Sequence, residues 1–166
     1  MMRHRSGFSL LEVLVALVIF AIGLLGIATL LLVAHKTNSS NYIKQQAVQS
    51  AYNILDRMHA NRQTALTGSY NVNNLVTSGT PSIPNTPSPD CSSASCTTTQ
   101  LATYDTWYWL AKDLTQLPNG CGKITTAASG VSTVFTITVQ WDDSPTKQTF
   151  NATDLTPTQL IVQSQF

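Results

Sequence analysis

The apolar run from Phe8 to Ala34, directly behind a short basic leader ending at Gly7, constrains this chain more than any other feature. Only Ser9, Glu12 and Thr29 interrupt it with polar groups, and Gly23 and Gly26 are its glycines. A helix rises about 1.5 Å per residue, so about 20 apolar residues cross the ~30 Å hydrocarbon core of a bilayer. The run is long enough to span one. Arg3, His4 and Arg5 precede it, and positive charge flanking a span stays cytoplasmic. An ordinary secretory signal would be cut after a shorter apolar region, near small residues. This run continues past that length, and Ala28-Thr29 is a poor cleavage site.

Glu12 is the only glutamate in the chain. Ionisable groups cost about 2.5–3.5 kcal/mol at the centre of a membrane helix, and less toward its ends. Two readings follow. In one, Glu12 lies close enough to the interface to stay wet and to favour the positive end of the helix dipole. In the other, it awaits a positive partner on another chain. A buried charge is tolerable when paired, and removing its partner costs about 3–5 kcal/mol.

From His35 to about Arg62 the pattern changes without a helix breaker. Ile43, Ala47, Ala51, Ile54, Leu55 and Met58 recur at three- and four-residue spacing, with Lys44, Gln45, Gln49, Asn53, Arg57 and Arg62 between them. That is an amphipathic helix with one buried stripe. One long helix from about Phe8 to Asn61 is expected. The alternative is two helices hinged at Asn38–Asn41.

Gly68 to about Thr99 is polar and proline-rich, with Pro81, Pro84, Pro87 and Pro89, and reads as a long loop. Long loops in compact domains are usually functional or mobile. This one carries Cys91 and Cys96. A disulfide closing that short loop is geometrically plausible and suits an oxidising compartment, but bridges from either cysteine to Cys121 remain open. Zinc lacks ligands, because His4, His35 and His59 all lie in the leader or the long helix.

A second helix is expected from about Thr98 to Leu117, ended by Pro118-Asn119-Gly120. Leu101, Tyr104, Trp107, Tyr108, Leu110, Ala111, Leu114 and Leu117 form a wide apolar face, with Asp105, Lys112 and Asp113 on the polar side. Tyr104, Trp107, Tyr108 and Trp109 could stack on carbohydrate or bases, but core or subunit packing is the plainer role. Phe135, Ile137, Val139 and Trp141 alternate with Thr136, Thr138 and Gln140, a half-buried antiparallel strand. Lys123–Ala127 and Lys147–Ala152 are candidate partners, and Gln159–Ser164 a last strand. The Asp142-Asp143 pair reads as a turn rather than a calcium site. Asn151-Ala152-Thr153 fits a glycosylation sequon only at chance level.

The chain has 166 residues, 10% of them charged, and a net charge of +1. Soluble domains average roughly 25% charged residues. No lysine-arginine cluster lies outside the leader, so nothing points to nucleic acid. Beyond Glu12 there is no glutamate, and no histidine lies beyond the long helix to act as a base. No phosphate-cradling glycine loop occurs either, so the chain reads as a non-enzyme that needs no cofactor.

The segment Ser6-Gly7-Phe8-Ser9-Leu10-Leu11-Glu12, followed by Val13-Leu14-Val15-Ala16, resembles the N-terminus of type IV pilins, type II secretion pseudopilins and their minor relatives, over roughly the first 35 residues. The resemblance implies cleavage by a prepilin peptidase after Gly7, N-methylation of Phe8 and pairing of Glu12 with an N-terminal amine in the fibre. Leu101–Ile124, with Leu117-Pro118-Asn119-Gly120 inside it, and the strand Thr136–Trp141 are similar to minor pilins of the PilV type. In that pattern a small residue often stands where Cys121 does, which implies an unpaired Cys121; the favoured bridge remains Cys91–Cys96, which closes the short loop.

The expected fold is α+β and type IV pilin-like: a long N-terminal helix packed on a small antiparallel sheet of three to four strands, with a second helix in the connecting region. Residues 1–7 form the leader, 8–34 the transmembrane or fibre-core segment, and 35–166 a periplasmic globular domain. The expected role is a minor pilin that primes pilus assembly or joins its tip complex. Its expected partners are prepilin peptidase, other minor pilins, the major pilin and the inner membrane. The alternatives are a type II secretion pseudopilin, a tip adhesin or DNA-uptake subunit, and a plain single-pass anchored binding protein.

Overall fold

Alternation in β3 (Ser132–Trp141) sets the layering, because it turns Phe135, Ile137 and Val139 to the same side of the sheet, all fully buried. In the computed structural model, which describes residues 9–77, 80–130, 132–142 and 157–165 apart from the side chain of Lys36, β3 is flanked on both sides. β1 (Val72–Asn73), β2 (Cys121–Ser129), β3 and β4 (Thr158–Gln165) form one antiparallel sheet in sequence order. One row of partners, Val72, Ile124, Ile137 and Val162, crosses all four strands on the inner face. The β2–β3 hairpin turns at Gly130, whose φ of 63° suits a residue without Cβ.

The chain divides at Ser40 into two units. The helix α1 (Leu10–Ala60) contributes to both and is helical through Asn38–Asn41, so the alternative of two separate helices is not realised. In the unit from Asn41 onward, the predicted stripe Ile43, Ala47, Ala51, Ile54, Leu55 and Met58 is buried in one cluster with Ile124, Phe135, Ile137 and Val139. Helix on sheet is the outcome of pairing two one-sided elements. A short helix, α2 (Arg62–Leu66), follows.

Helix α3 (Thr98–Tyr108) begins with a capping box: Thr97 Oγ1 accepts from Gln100 N at 3.2 Å, and Thr97 N donates to Gln100 Oε1 at 2.9 Å. The expected α-helix to Leu117 is corrected here. It ends at Tyr108, widens to a π turn over Trp109–Asp113 and tightens to a 3-10 turn over Leu114–Gln116. The wide turn stacks residues five apart, and so aims both Trp109 and Leu114 at Gly122 of β2. A Cβ at Gly122 would collide with the Trp109 ring and Leu114 Cδ1.

Two further expectations need amendment. The loop beginning at Gly68 contains β1, too short to leave a period-two signal. The outer face of β3 is not open along its length, since Thr138 and Gln140 are buried. The chain after β1 crosses that end, where Val76 O accepts from Gln140 Nε2 at 2.7 Å. The candidate strand Lys147–Ala152, the sequon, Asp143, Gly7 and Phe8 lie outside the described residues.

Candidate functional site

Ser9 opens α1. Its Oγ accepts from Leu11 N at 3.3 Å, and its carbonyl accepts from Glu12 N at 3.0 Å and Val13 N at 3.3 Å. Serine three residues ahead of glutamate is the spacing of a capping box, but the Ser9 hydroxyl takes the amide of Leu11 rather than that of Glu12, so it acts as a simple N-cap. Glu12 therefore stands in the first helical turn, where the exposed amides favour a carboxylate. It is exposed and shares a helix face with Ala16, Leu17 and Phe20. Every large apolar side chain from Leu10 to Val33 is exposed as well. An apolar surface of that extent requires cover from lipid or from other proteins. By length and composition α1 can cross a membrane, with a mean hydropathy of 2.9 over its most apolar stretch.

The unit from Asn41 onward is tied together by a polar knot that periodicity did not reveal. Asp105, expected on the polar side of its helix, is buried. Its Oδ1 accepts from Arg57 at 2.8 Å, and its Oδ2 accepts from the Tyr70 hydroxyl at 2.8 Å. Asn61 Nδ2 donates to the same hydroxyl at 3.2 Å and to Thr98 O at 2.7 Å. Burial pushes the Tyr70 phenol well above its ordinary value, and the adjoining Asp105 carboxylate adds to the shift. The knot joins α1, α3 and the turn after α2. The one legible hint was an arginine and an aspartate on two helices, and sequence could not say that they meet.

The aromatic cluster divides in two. Trp109 is fully buried, and its indole N–H donates to Ser50 O at 3.1 Å and Ser50 Oγ at 3.0 Å. Tyr104, Trp107 and Tyr108 are half-buried and touch one another, with ring centroids 5.4 to 6.3 Å apart. Trp107 Nε1 donates to Pro84 O at 3.1 Å, which pins the proline-rich loop to α3, and the Arg57 guanidinium lies 4.6 Å from the Tyr108 ring centre. Cys91 and Cys96 are joined, with Cα atoms 5.6 Å apart. Cys121 is free and fully buried, and burial raises its thiol pKa. A thiol so held is a packing group rather than a nucleophile.

Residues 2–28 match the prokaryotic N-terminal methylation motif, a stretch well under half of the chain. No curated protein and no solved structure matches the chain. The motif is typical of type IV pilin-like proteins, pilins and pseudopilins alike, and it joins the leader to the exposed apolar part of a helix that ends in an α+β domain.

Proposed function

We propose that this chain is a minor pilin: anchored in the inner membrane by residues 8–34, cut by prepilin peptidase between Gly7 and Phe8, and incorporated with other minor pilins and the major pilin into the complex that initiates or tips a type IV pilus. The observation that carries this reading is the coincidence, inside the methylation motif, of a glycine-phenylalanine junction, an acid in the first turn of α1 and an apolar surface that is exposed among the described residues. On this reading the cost of Glu12 is offset by the methylated amine of a neighbouring subunit, and residues 41–166 present the contact surfaces. The work is assembly, not catalysis.

Co-expression with a prepilin peptidase is expected to yield a chain beginning at methylated Phe8, read by intact mass, and Gly7→Ala to block it. Glu12→Ala is expected to leave membrane insertion intact while abolishing the chain's contribution to piliation. An uncut wild-type chain, or a fully active Glu12→Ala variant, would overturn the proposal. Rescue of secretion rather than of piliation in the matching deletion strain would assign the chain to a type II pseudopilus instead.

A further inference from the structure

β4 is the last strand of the sheet, and among the described residues no strand pairs with its outer side. Such an edge presents unpaired N–H and C=O groups that another strand can take up, and natural proteins blunt it with charges, prolines or bulges. β4 has none of these. Thr158–Gln165 reads TQLIVQSQ, without charge or proline, and it pairs with β3 in unbroken register from Thr158 opposite Trp141 to Gln165 opposite Val134. Ile161 is 58% exposed, and among the described residues it is the only large apolar side chain exposed on the sheet.

What fits this edge follows from the strand's own pattern. Every second residue of an edge strand turns its N–H and C=O outward, and those residues share one face of the sheet. An antiparallel partner must therefore set inner-face residues opposite inner-face residues, or faces and hydrogen bonds both mismatch. For a second copy related by a two-fold axis, that rule puts the axis through a residue rather than between two. About Ile161 the strand is close to a palindrome: Thr158 meets Ser164, Gln159 meets Gln163, Leu160 meets Val162, and Ile161 meets itself. An axis at Leu160 or Val162 breaks the match by setting Gln159 or Gln163 opposite Ile161. Self-complementarity of this kind is what an isologous contact requires. Leu160 and Val162 already pack against the core, so the joined sheet carries its apolar inner face across the seam. Exposed Gln159 and Gln163 meet on the other face, and amide side chains both donate and accept. Pro157, which has no N–H, ends the seam at Thr158.

We propose that β4 pairs antiparallel with β4 of a second copy of this chain, about a two-fold axis at Ile161, so that the two sheets continue into one. A seam of one short strand per partner falls at the small end of interfaces, so the association is weak and reversible. The contact lies wholly in the unit from Asn41 onward, so it stands or falls independently of processing at Gly7. Because the axis stands normal to the sheet, the stretches of α1 packed on the two sheets run in opposite directions. On the anchoring proposed above, the pairing therefore joins chains from two facing surfaces or fibres rather than neighbours in one membrane.

The test uses the full chain in detergent micelles, with Ile161→Cys read on non-reducing gels. The axis sets the two thiols directly opposite, with Cα atoms about 4.5–5.5 Å apart, and an intermolecular disulfide is expected. Gln165→Cys controls the register: its two copies stand about 26 Å apart along the seam, and no bridge is expected. Bridging at Gln165 as strong as at Ile161, or none at Ile161, would overturn the proposal. Ile161→Lys and Ile161→Glu each set like charges opposite one another. Each alone is expected to sediment as a monomer where the wild type dimerises, and an equimolar mixture to regain the dimer. Both are expected to keep the wild-type melting temperature, since Ile161 is exposed, which separates lost pairing from lost folding. A lysine variant that dimerises like the wild type, as association through α1 would allow, or a mixture no better than its components, would overturn the proposal. So would a photo-crosslinker in place of Ile161 that captures a different polypeptide in intact cells and never a second copy.

Discussion

Asp105→Ala tests the knot that fastens α3 to α1. Asp105 is 4% exposed and accepts two hydrogen bonds at 2.8 Å. Removing the carboxylate leaves the fully buried Tyr70 hydroxyl without its acceptor, a loss of about 1–3 kcal/mol. Arg57 loses its counter-ion too, but its side chain is 33% exposed, so water takes over and that loss is about 1 kcal/mol or less. Alanine returns about 0.5 kcal/mol as the better helix former. The net expectation is a destabilisation of about 0.5–3.5 kcal/mol, centred near 2 and mostly below the ~3–5 kcal/mol for breaking a fully buried ion pair. Urea unfolding of the full chain in micelles measures it through fluorescence of Trp107, Trp109 and Trp141, all of which lie in the unit from Asn41 onward. Exposed Asp56 on α1 supplies the control Asp56→Ala. The two changes should be strongly unequal. A loss at Asp105 below about 0.5 kcal/mol, or one equal to that at Asp56, would show that the knot contributes nothing to stability.

Other positions give sharper signs than magnitudes. Tyr70 keeps its proton in the fold above the pH at which the unfolded chain, with an ordinary value of 10.0, releases it. Stability should therefore be complete below about pH 10 and decline as pH rises further, a slope that Tyr70→Phe flattens in pH-dependent urea titrations. Gly122→Ala should lower the melting temperature, since its Cβ meets the Trp109 ring and Leu114 with no space to yield, an overpacking cost of about 1–3 kcal/mol. Reversal of that loss by Trp109→Leu would confirm the contact, and an unchanged melting temperature would refute it. Under non-reducing conditions peptide mass spectrometry should find Cys91 linked to Cys96. Cys121 should resist iodoacetamide until denaturant is added; rapid labelling of the folded chain would contradict its burial.

Local rules made several elements legible in the linear chain. The apolar run, the stripe Ile43 to Met58 and the alternation from Phe135 to Trp141 each reflect one element meeting one environment, and a periodicity of 3.6 or 2 records that directly. The methylation motif is equally local, because a peptidase reads a short stretch of chain. What folding alone fixed are the events that bring distant segments together. Asp105 reads as a solvent-facing residue until Tyr70 and Arg57 arrive, 35 and 48 positions away in the chain. The π turn over Trp109–Asp113 likewise left no signal in the chain, and Trp109 and Leu114 around it both meet Gly122 of β2. Hydrophobic patterning reports which side of an element is dry. It carries no information on which polar group from another element will be waiting there, because that depends on the three-dimensional approach of surfaces whose energies are decided pair by pair.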